Sequence, residues 1–322
     1  MKPPKVMSTF SGCGGSSLGY KKAGCEVVAA VEWDDHAVES YRLNHPTTRV
    51  FHGDIADVKV ETLLETAGLE VGELDILDGS PPCQGFSTAG ARILDDPRNA
   101  LFRQQLRLID GLKPKCVVIE NVSGMLKGKM RAVASEIYQS LEERGYEVSA
   151  GLIEAHHFGV AQRRARVFFV GSRIGSPRLP RSTHSRITCR KALHGVQPDE
   201  WRQTPPNDRV RWLLSHMRPG ETGGMTLKRH GMKPDYWSSV MLDPNGVAHT
   251  ITKTYPFGGV FHWTRRHLSV REAQVLTGFP VDYKLPGKFA DRWARVGNSV
   301  APPVAREIAR QTLIPLLEKA RG

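Results

Sequence analysis

The amino-acid sequence predicts an α/β protein built on a mostly parallel sheet with helices on both faces. Short apolar runs alternate with helical patterns from residue 5 to residue 172, and such alternation is typical of parallel strands joined by helical crossovers. Beyond residue 174 this pattern fades and Arg, Pro, Gly and His become frequent, which indicates a second, smaller and irregular domain. With 322 residues, 40% of them hydrophobic, the chain can bury both cores.

The predicted strands and helices follow one another in regular order. Strands are expected at residues 5–10, 26–32, 49–51, 74–78, 116–120, 146–153 and 166–171. Helical patterns lie between them, for instance at residues 35–43, 100–111 and 131–144. Ligands of such sheets bind beyond the carboxyl ends of the strands. We therefore expect one site, surrounded by the loops that start at Phe10, Glu32, Asp54, Gly79 and Glu120.

The second half of the chain is predicted to contain an inserted domain, followed by a segment that packs back on the first domain. Residues 173–265 are predicted to form the irregular domain, with a short strand at 248–252. Helical patterns resume at 269–277 and 301–319, so residues 266–322 are expected to return to the first domain.

The charge is distributed unevenly between the two halves. Residues 1–160 carry 17 Lys and Arg against 22 Asp and Glu, whereas residues 161–322 carry 28 against 11. A basic half of this kind favours a polyanionic partner, with nucleic acid as the first candidate. A basic surface without such a partner is an equally open interpretation.

Several classes of protein are disfavoured by the composition. The sequence contains no run of eighteen apolar residues, so no membrane span is expected, and the first residues lack a signal-peptide core. Five scattered cysteines argue against a disulfide framework and for a reducing compartment. Because no Cys-x-x-Cys pair is present, neither zinc nor another metal is expected.

The turn after the first strand has features of a cofactor site. The glycines of "FSGCGGSSLGY" (residues 10–20) permit a tight turn and a close approach by a ligand, next to a helix N-terminus. Glu32 ends the second strand, where a carboxylate can bind ribose hydroxyls. Trp33 and the "GDI" at 53–55 add an aromatic face and a second carboxylate. Ser17 breaks the dinucleotide glycine fingerprint, and a plain strand–helix turn remains an alternative.

The segment "DILDGSPPCQG" holds a cysteine after a predicted strand. Pro81 and Pro82 restrict the backbone, so the thiol of Cys83 is expected at a defined angle. A lone cysteine is more often a small buried hydrophobe, but the polar, Gly- and Ser-rich loop that follows is poor core material and is interpreted as a lid. A nucleophilic thiol needs nearby positive charge, which Arg92 and Arg98 can supply.

Two further segments add polar side chains to this end of the sheet. Glu120 leaves the apolar strand "CVVIENV", and its partial desolvation favours the neutral, proton-donating form. A loop-fixing acid is the alternative interpretation. Arg164 and Arg166 stand two apart in "QRRARVFFVG", where two guanidiniums can hold a carbonyl oxygen and phosphates. An exposed basic edge strand is equally consistent with that pattern.

Over essentially its whole length the chain resembles the DNA (cytosine-5)-methyltransferase family. The matching segments, in family order, are "FSGCGGSSLGY", "EWD", "GDI", "GSPPCQGFS", "ENV", "QRRARVFFVG", "RHLSVREAQVLTGFP" and "VGNSVAPPVA". The resemblance implies a Rossmann-like S-adenosylmethionine-dependent methyltransferase domain at 1–172, a target-recognition domain at 173–265, and a return segment at 266–322 that completes the catalytic domain.

The resemblance also implies roles for individual residues. Cys83 resembles the thiolate that adds to C6 of a flipped cytosine, and Glu120 the acid that contacts N3 and the exocyclic amine. Arg166 is similar to the residue that holds the base O2, with Arg164 and Gln162 in support. S-adenosylmethionine would be bound by Phe10, Gly12, Gly14, Glu32, Trp33, Asp54, Ile55, Asn298 and Ser299. DNA contacts are expected from Ser87, Arg92, Arg98, Thr250, Lys253 and Arg265.

The chain departs from the family pattern at Ser8, where an acid is usual two residues before the phenylalanine. The implied partner is duplex DNA, with a cognate restriction endonuclease in the same system, a monomeric state and a cytoplasmic location. A transfer RNA methyltransferase, a catalytically silent DNA-binding protein and a nicotinamide-dependent oxidoreductase are the alternatives.

Overall fold

The computed structural model describes residues 2–82, 100–128, 130–201 and 207–321. Its strands are β1 (Lys5–Thr9), β2 (Glu26–Glu32), β3 (Arg49–His52), β4 (Ile76–Gly79), β5 (Cys116–Val122), β6 (Glu147–Glu154), β7 (Ala165–Ser172), β8 (Val240–Met241), β9 (Val260–His262) and β10 (Arg266–His267). Its α-helices are α1 (Gly15–Lys22), α2 (Asp35–Asn44), α3 (Val60–Ala67), α4 (Ala100–Leu112), α5 (Met130–Glu142), α6 (Cys189–Ala192), α7 (Asp208–His216), α8 (Gly223–Arg229), α9 (Val270–Leu276), α10 (Phe289–Asn298), α11 (Pro302–Ile308) and α12 (Ile314–Arg321).

Within these ranges a seven-stranded sheet runs in the order β3-β2-β1-β4-β5-β7-β6. Strands β3, β2, β1, β4 and β5 pair in parallel, while β7 is antiparallel to both β5 and β6. The predicted mostly parallel α/β fold is therefore confirmed. The chain winds outward from β1 to β3 and then jumps to β4, so a topological switch point lies between β1 and β4. Ligands of open α/β sheets bind in the crevice at such a point.

The core of this sheet explains why these residues form these elements. The central strands are apolar on both faces because helices cover both, and Leu77, Val117 and Ile119 are fully buried. Helix α4 places Leu108 and Ile109 in the same cluster, as its helical apolar spacing predicts.

Two compact units divide the chain. The first contains Met1–Glu154, Ala165–Ser182 and Pro302–Gly322, and the second contains Ala155–Arg164 and Thr183–Ala301. The second unit has its own buried cluster, which includes Leu213, Leu227 and Phe261. The functional domain boundaries expected from the resemblance stay a prediction. Among the described residues, no helix is both long and apolar enough to cross a bilayer.

The C-terminal segment returns to the first unit and packs on α1. A Cβ at Gly19 would lie 2.4 Å from the carbonyl oxygen of Pro302 and 2.7 Å from Cβ of Ala305. Helices α1 and α11 can thus approach closely only because position 19 lacks a side chain.

Two predicted elements differ from those observed. The strand expected at 248–252 is wrong, since only an isolated bridge joins Ala248 to Gln162. The helix expected at 301–319 is divided into α11 and α12 by a π-helical turn at Ala309–Leu313. This turn lies just before Pro315, which has no N–H to donate to the preceding turn.

Candidate active site

The turn between β1 and α1 has a backbone that a ligand can approach closely. Phe10, Gly12 and Gly14 have φ angles of +50°, +55° and +92°, in the left-handed region that glycine adopts easily. A Cβ at Gly12 would meet no atom within 4 Å. Open space therefore lies over the turn, and α1 begins directly after it at Gly15.

Glu32, at the end of β2, holds this turn in place. Its Oε2 accepts a hydrogen bond from the Gly12 N–H at 2.7 Å. Its Oε1 accepts from the N–H groups of Trp33 and Asp34, each at 3.0 Å. The carboxylate thus fixes two loops at one edge of the sheet, and the indole of Trp33 is 76% exposed beside it.

The loop after β3 adds a second carboxylate to the same edge. The Gly53 N–H donates to the Glu32 carbonyl at 3.0 Å, and Asp54 accepts from the Ala56 N–H at 2.9 Å. Ile55 is buried. An open glycine turn, an exposed indole and these carboxylates fit an adenosine-containing cofactor, because they offer an aromatic face and acceptors for hydroxyl and amino groups.

Asn298 and Ser299, the other residues expected to bind the cofactor, belong to the second unit. Asn298 is the last residue of α10, and the Ser299 hydroxyl donates to the Arg295 carbonyl at 2.6 Å. Their expected contact with the cofactor stays a prediction.

Asp78 is a buried acid that the sequence reasoning did not single out. It lies in β4 and pairs in register with Ser8 of β1. The hydroxyl of Ser8 donates to its Oδ2 at 3.2 Å, that of Tyr20 donates to its Oδ1 at 3.0 Å, and Ser16 adds a third hydrogen bond. Burial raises the pKa of Asp78 to about 6, although these hydrogen bonds lower it. The feature of the sequence that could have identified Asp78 is a charged residue at the end of the strand segment "DILD".

Glu120 and Arg166 form an ion pair at the boundary of β5 and β7. The Arg166 Nε lies 3.0 Å from Oε1 of Glu120, and the two side chains are 18% and 10% exposed. The antiparallel register sets Arg166 opposite Val122, two residues beyond Glu120, so both side chains lie on one face of the sheet. A carboxylate and a guanidinium are therefore held together, which allows one ligand to meet both a hydrogen-bond acceptor and a cation.

Asn121 connects this pair to the loop after β4. Its Nδ2 donates to the Pro81 carbonyl at 3.0 Å, and its Oδ1 accepts from the Val122 N–H at 2.9 Å. The chain two residues before Cys83 is therefore anchored next to the end of β5. Four expected site residues lie outside the described ranges: Cys83, Ser87, Arg92 and Arg98.

Gln162 and Arg164 are buried in the second unit. Gln162 accepts from the Ile251 N–H at 3.1 Å and donates to Thr277 at 2.9 Å. The Arg164 guanidinium donates to the carbonyls of Ile251 and Gly297 at 3.1 and 2.9 Å. Both side chains thus support the segment around Ile251. The exposed edge strand considered for this region is excluded, because Arg164 is only 3% exposed and β7 lies between β5 and β6.

The residues of the second unit that are expected to contact DNA are more exposed than Gln162 and Arg164. The Thr250 hydroxyl donates to the Arg163 carbonyl, and Lys253 is exposed. Arg265 donates from one guanidinium nitrogen to the carbonyls of Leu214 and Ser215 at 2.6 and 2.8 Å. Part of its hydrogen-bonding capacity is therefore used near the end of α7.

The cysteines within the described ranges, Cys13, Cys25, Cys116 and Cys189, are buried. Burial raises the pKa of Cys25, Cys116 and Cys189 to about 12. Because the thiolate is the nucleophilic form, these three thiols are poorly suited to attack a substrate.

The chain is similar to known methyltransferases over nearly its whole length. Type II methyltransferase M.NgoPII of Neisseria gonorrhoeae is 30% identical, covering 95% of this chain and 94% of that protein. Type II methyltransferase M.AquIA of a Picosynechococcus strain is 42% identical over 56% of this chain and 77% of its own length. A solved structure of a Spodoptera frugiperda DNMT2 mutant shares the fold, with a TM-score of 0.69, 19% identity, and coverage of 98% of this chain and 99% of that one.

A family model described as C-5 cytosine-specific DNA methylase matches residues 4–313. That match includes the glycine turn, the Pro-Pro-Cys segment and the Glu120–Arg166 pair. The chain therefore belongs to the C-5 cytosine-specific DNA methylase family.

Proposed function

We propose that this protein transfers a methyl group from S-adenosylmethionine to C5 of a flipped cytosine in a specific duplex DNA sequence, through a covalent bond between Cys83 and C6. The ion pair of Glu120 and Arg166, with Asn121 anchoring Pro81 beside it, is the observation that supports this proposal most directly. It holds the carboxylate, the cation and the chain that precedes Cys83 at one end of the sheet, as the proposed reaction requires.

The chemistry requires such an arrangement. Cytosine C5 is a poor nucleophile until another group adds at C6, and a thiolate is suited to that addition. Glu120 would give a proton to N3 as the Cys83 sulfur adds, and Arg166 would hold the base O2. C5 then takes the methyl group, and S-adenosylhomocysteine is the leaving group. Loss of the C5 proton to a base, return of the N3 proton to Glu120 and elimination of the Cys83 thiolate restore the aromatic ring and the free enzyme. The target base must first leave the duplex, because a stacked base is inaccessible.

The cofactor is expected at the glycine turn of the first unit. Bound there, S-adenosylmethionine supplies an electrophilic methyl group on a sulfonium. The turn from Phe10 to Gly14 would let the cofactor lie close to the protein backbone. Trp33 would cover the adenine ring, and the carboxylates of Glu32 and Asp54 would accept hydrogen bonds from the cofactor. Ile55, Asn298 and Ser299 complete the proposed set.

The relatives named Type II methyltransferases support a role in a restriction-modification system. We propose a cognate restriction endonuclease as the functional counterpart and a monomer as the active form. The recognised sequence would be read by the second unit, in which Lys253 and Arg265 are exposed.

Covalent trapping tests the proposal. The recognition site is first found by bisulfite sequencing of DNA from expressing cells. With S-adenosylmethionine present, duplex DNA carrying 5-fluorocytosine in that site should form a complex that survives denaturation. Fluorine at C5 prevents the elimination that would release Cys83. Cys83→Ala should abolish the complex, whereas Cys25→Ala, a matched change of a buried thiol, should retain it.

A complex formed equally well by Cys83→Ala would refute the covalent role. Labelled S-adenosylmethionine offered with duplex DNA or total transfer RNA distinguishes the remaining substrate alternative. Label in the transfer RNA alone would refute the DNA assignment.

A further inference from the structure

Asp78 carries a buried negative charge that the proposed reaction leaves unexplained. It is only 5% exposed and lies one residue before the end of β4. Its described hydrogen-bond partners are the hydroxyls of Ser8, Ser16 and Tyr20. Within the described parts of the chain it forms no ion pair. A buried carboxylate without a cation is costly, so its presence calls for a specific reason.

A second buried acid in the same region shows how this chain neutralises a structural carboxylate. Asp75 is 3% exposed and lies just before β4. It pairs with Lys115 at 2.8 Å and with Arg321 at 2.7 Å. Hydrogen bonds from these cations and from the Lys5 N–H outweigh its burial and lower its pKa. Asp78 lacks this arrangement, although it lies only three residues further along the chain, inside β4.

The position of Asp78 points to a ligand as the missing counter-charge. Asp78 and its register partner Ser8 lie on β4 and β1, on the two sides of the topological switch point, where ligands of such sheets bind. Its hydrogen bonds to Ser16 and Tyr20 reach α1, the helix that begins directly after the open glycine turn. The charge therefore lies beneath the proposed cofactor site.

The remaining titratable groups around Asp78 do not neutralise it. On α1, Tyr20 is fully buried, and burial together with the Asp78 charge raises its pKa well above the ordinary value, so it stays a neutral donor. From β5, the charge of Glu120 acts on Asp78 with the same sign. From β1, the neutral hydroxyl of Ser8 reaches the carboxylate and that of Thr9 reaches the backbone carbonyl of Asp78. None of these groups therefore brings a positive charge into contact with the Asp78 carboxylate, and Arg166 pairs with Glu120 instead.

We infer that Asp78 is a specificity-determining residue for the cationic form of the cofactor: its charge favours the sulfonium of S-adenosylmethionine over the neutral thioether of the product, S-adenosylhomocysteine. The two compounds share the adenosine and the amino-acid part, so contacts at Glu32 or Asp54 do not separate them. Electrostatic attraction across the poorly hydrated interior distinguishes them, because only S-adenosylmethionine carries the positive charge on sulfur. The inference rests on the proposed function, because it takes this cofactor as the ligand.

The register of β1 and β4 offers a rescue variant. Ser8 lies opposite Asp78, and its hydroxyl donates to the Asp78 carboxylate. Exchanging the two residues in Ser8→Asp/Asp78→Ser moves the carboxylate to the neighbouring strand and keeps its charge at the same place along the sheet. Asp78→Asn removes the charge and keeps the shape, and Asp75→Asn is a matched change of a buried acid that already has cations.

Calorimetric titration of each protein with each compound at pH 8 measures the preference as the ratio of the two dissociation constants. Asp78→Asn should reduce the preference for S-adenosylmethionine about tenfold, which corresponds to about 1.4 kcal/mol. The exchanged variant should recover most of it, and Asp75→Asn should keep it. In the wild type the preference should fall as the pH is lowered through about 6, where Asp78 takes up a proton, while Asp78→Asn should show no such step.

The possible outcomes distinguish the role of Asp78 from the proposed function. Equal weakening of both compounds in Asp78→Asn, or a wild-type preference that does not change between pH 8 and pH 5, would overturn the inference and leave the proposed function intact. A wild-type protein that bound neither compound would overturn both.

Discussion

At the scale of single residues, the site depends on side chains whose environment sets their chemistry. Glu120 and Arg166 are held within 3.0 Å of each other at the end of β5, and neither is more than one fifth exposed at its side chain. Such a pair can orient a planar ligand, because the guanidinium supplies hydrogen-bond donors and the carboxylate supplies acceptors. Their proposed roles lead to a direct test.

Glu120→Gln should slow methyl transfer by roughly two to four orders of magnitude, the usual range for a lost general acid. The amide keeps the shape of the side chain but cannot deliver the proton to N3. Cofactor affinity should hardly change, since Glu120 is not among the residues expected to bind the cofactor, most of which lie at the ends of β1, β2 and β3. Single-turnover methylation beside a binding titration measures both quantities. Glu142→Gln, on the exposed face of α5, is the control. An unchanged methylation rate would remove Glu120 from the mechanism, and a collapse of cofactor binding would make it structural.

Asp78 should reduce the free energy of unfolding at neutral pH. Its pKa is raised from the ordinary 3.8 to about 6 in the folded protein, so the folded state binds the proton more tightly than the unfolded state. The stability associated with that proton is fully present below about pH 4 and is lost as the pH rises through about 6. As the pH rises from 4 to 7, the free energy of unfolding of Asp78→Asn should therefore increase by up to about 3 kcal/mol relative to that of the wild type.

Urea unfolding of both proteins at several pH values measures this gain. A difference between them that stays constant from pH 4 to pH 7 would contradict the burial-based explanation. A variant that is more stable but less selective for its cofactor would show that the carboxylate is retained for function.

At the scale of elements, the packing of α11 on α1 fixes the helix that follows the glycine turn. The contact is close because Gly19 faces Pro302 and Ala305. A side chain there would push the two helices apart. Since α1 also carries Ser16 and Tyr20, displacement would disturb their hydrogen bonds to Asp78.

Gly19→Ala should destabilise the protein by about 1–3 kcal/mol, the usual cost of an overpacked contact, although alanine is the better helix former. The built Cβ would lie 2.4 Å from a backbone oxygen, which cannot move aside like a flexible side chain. Gly124→Ala is the matched control, because its Cβ would meet nothing within 4 Å. Thermal unfolding compares the two variants, and equal melting temperatures would refute the proposed role of the α1–α11 contact.

At the scale of the whole molecule, the formal net charge of +12 comes from the second half of the chain. Between residues 173 and 265 there are 15 Lys and Arg against 6 Asp and Glu. Membership of a DNA methylase family agrees with the nucleic-acid partner that this charge favours, and it confirms the predicted enzyme class.

The logarithm of DNA affinity should fall linearly with the logarithm of salt concentration, because each neutralised phosphate releases counterions. Lys253→Ala should lower the magnitude of that slope by about one if the side chain binds a phosphate. Lys22→Ala, an exposed cation of the acidic half, should leave it unchanged. Fluorescence anisotropy at several salt concentrations measures the slope, and an affinity insensitive to salt would contradict electrostatic binding by the basic half.

The sequence by itself determined the α/β class, the succession of strands and helices along the chain, and the turn after β1. Alternating apolar runs and glycine conformations are local properties. It also determined the family, since the motifs are contiguous and occur in order. Even the positions of Glu120 and Arg166 at strand ends followed from local pattern.

Only the tertiary structure decided which distant side chains meet. Asp78 contacts Tyr20 and Ser8 across 58 and 70 positions, and strand register, which no local pattern states, sets both contacts. Arg164 and Arg166 are indistinguishable in the sequence, yet one binds backbone carbonyls in the second unit and the other pairs with Glu120. The strand expected at 248–252 was wrong for the same reason: apolar residues favour burial there, but a ladder requires a partner strand, and the fold provides a single bridge.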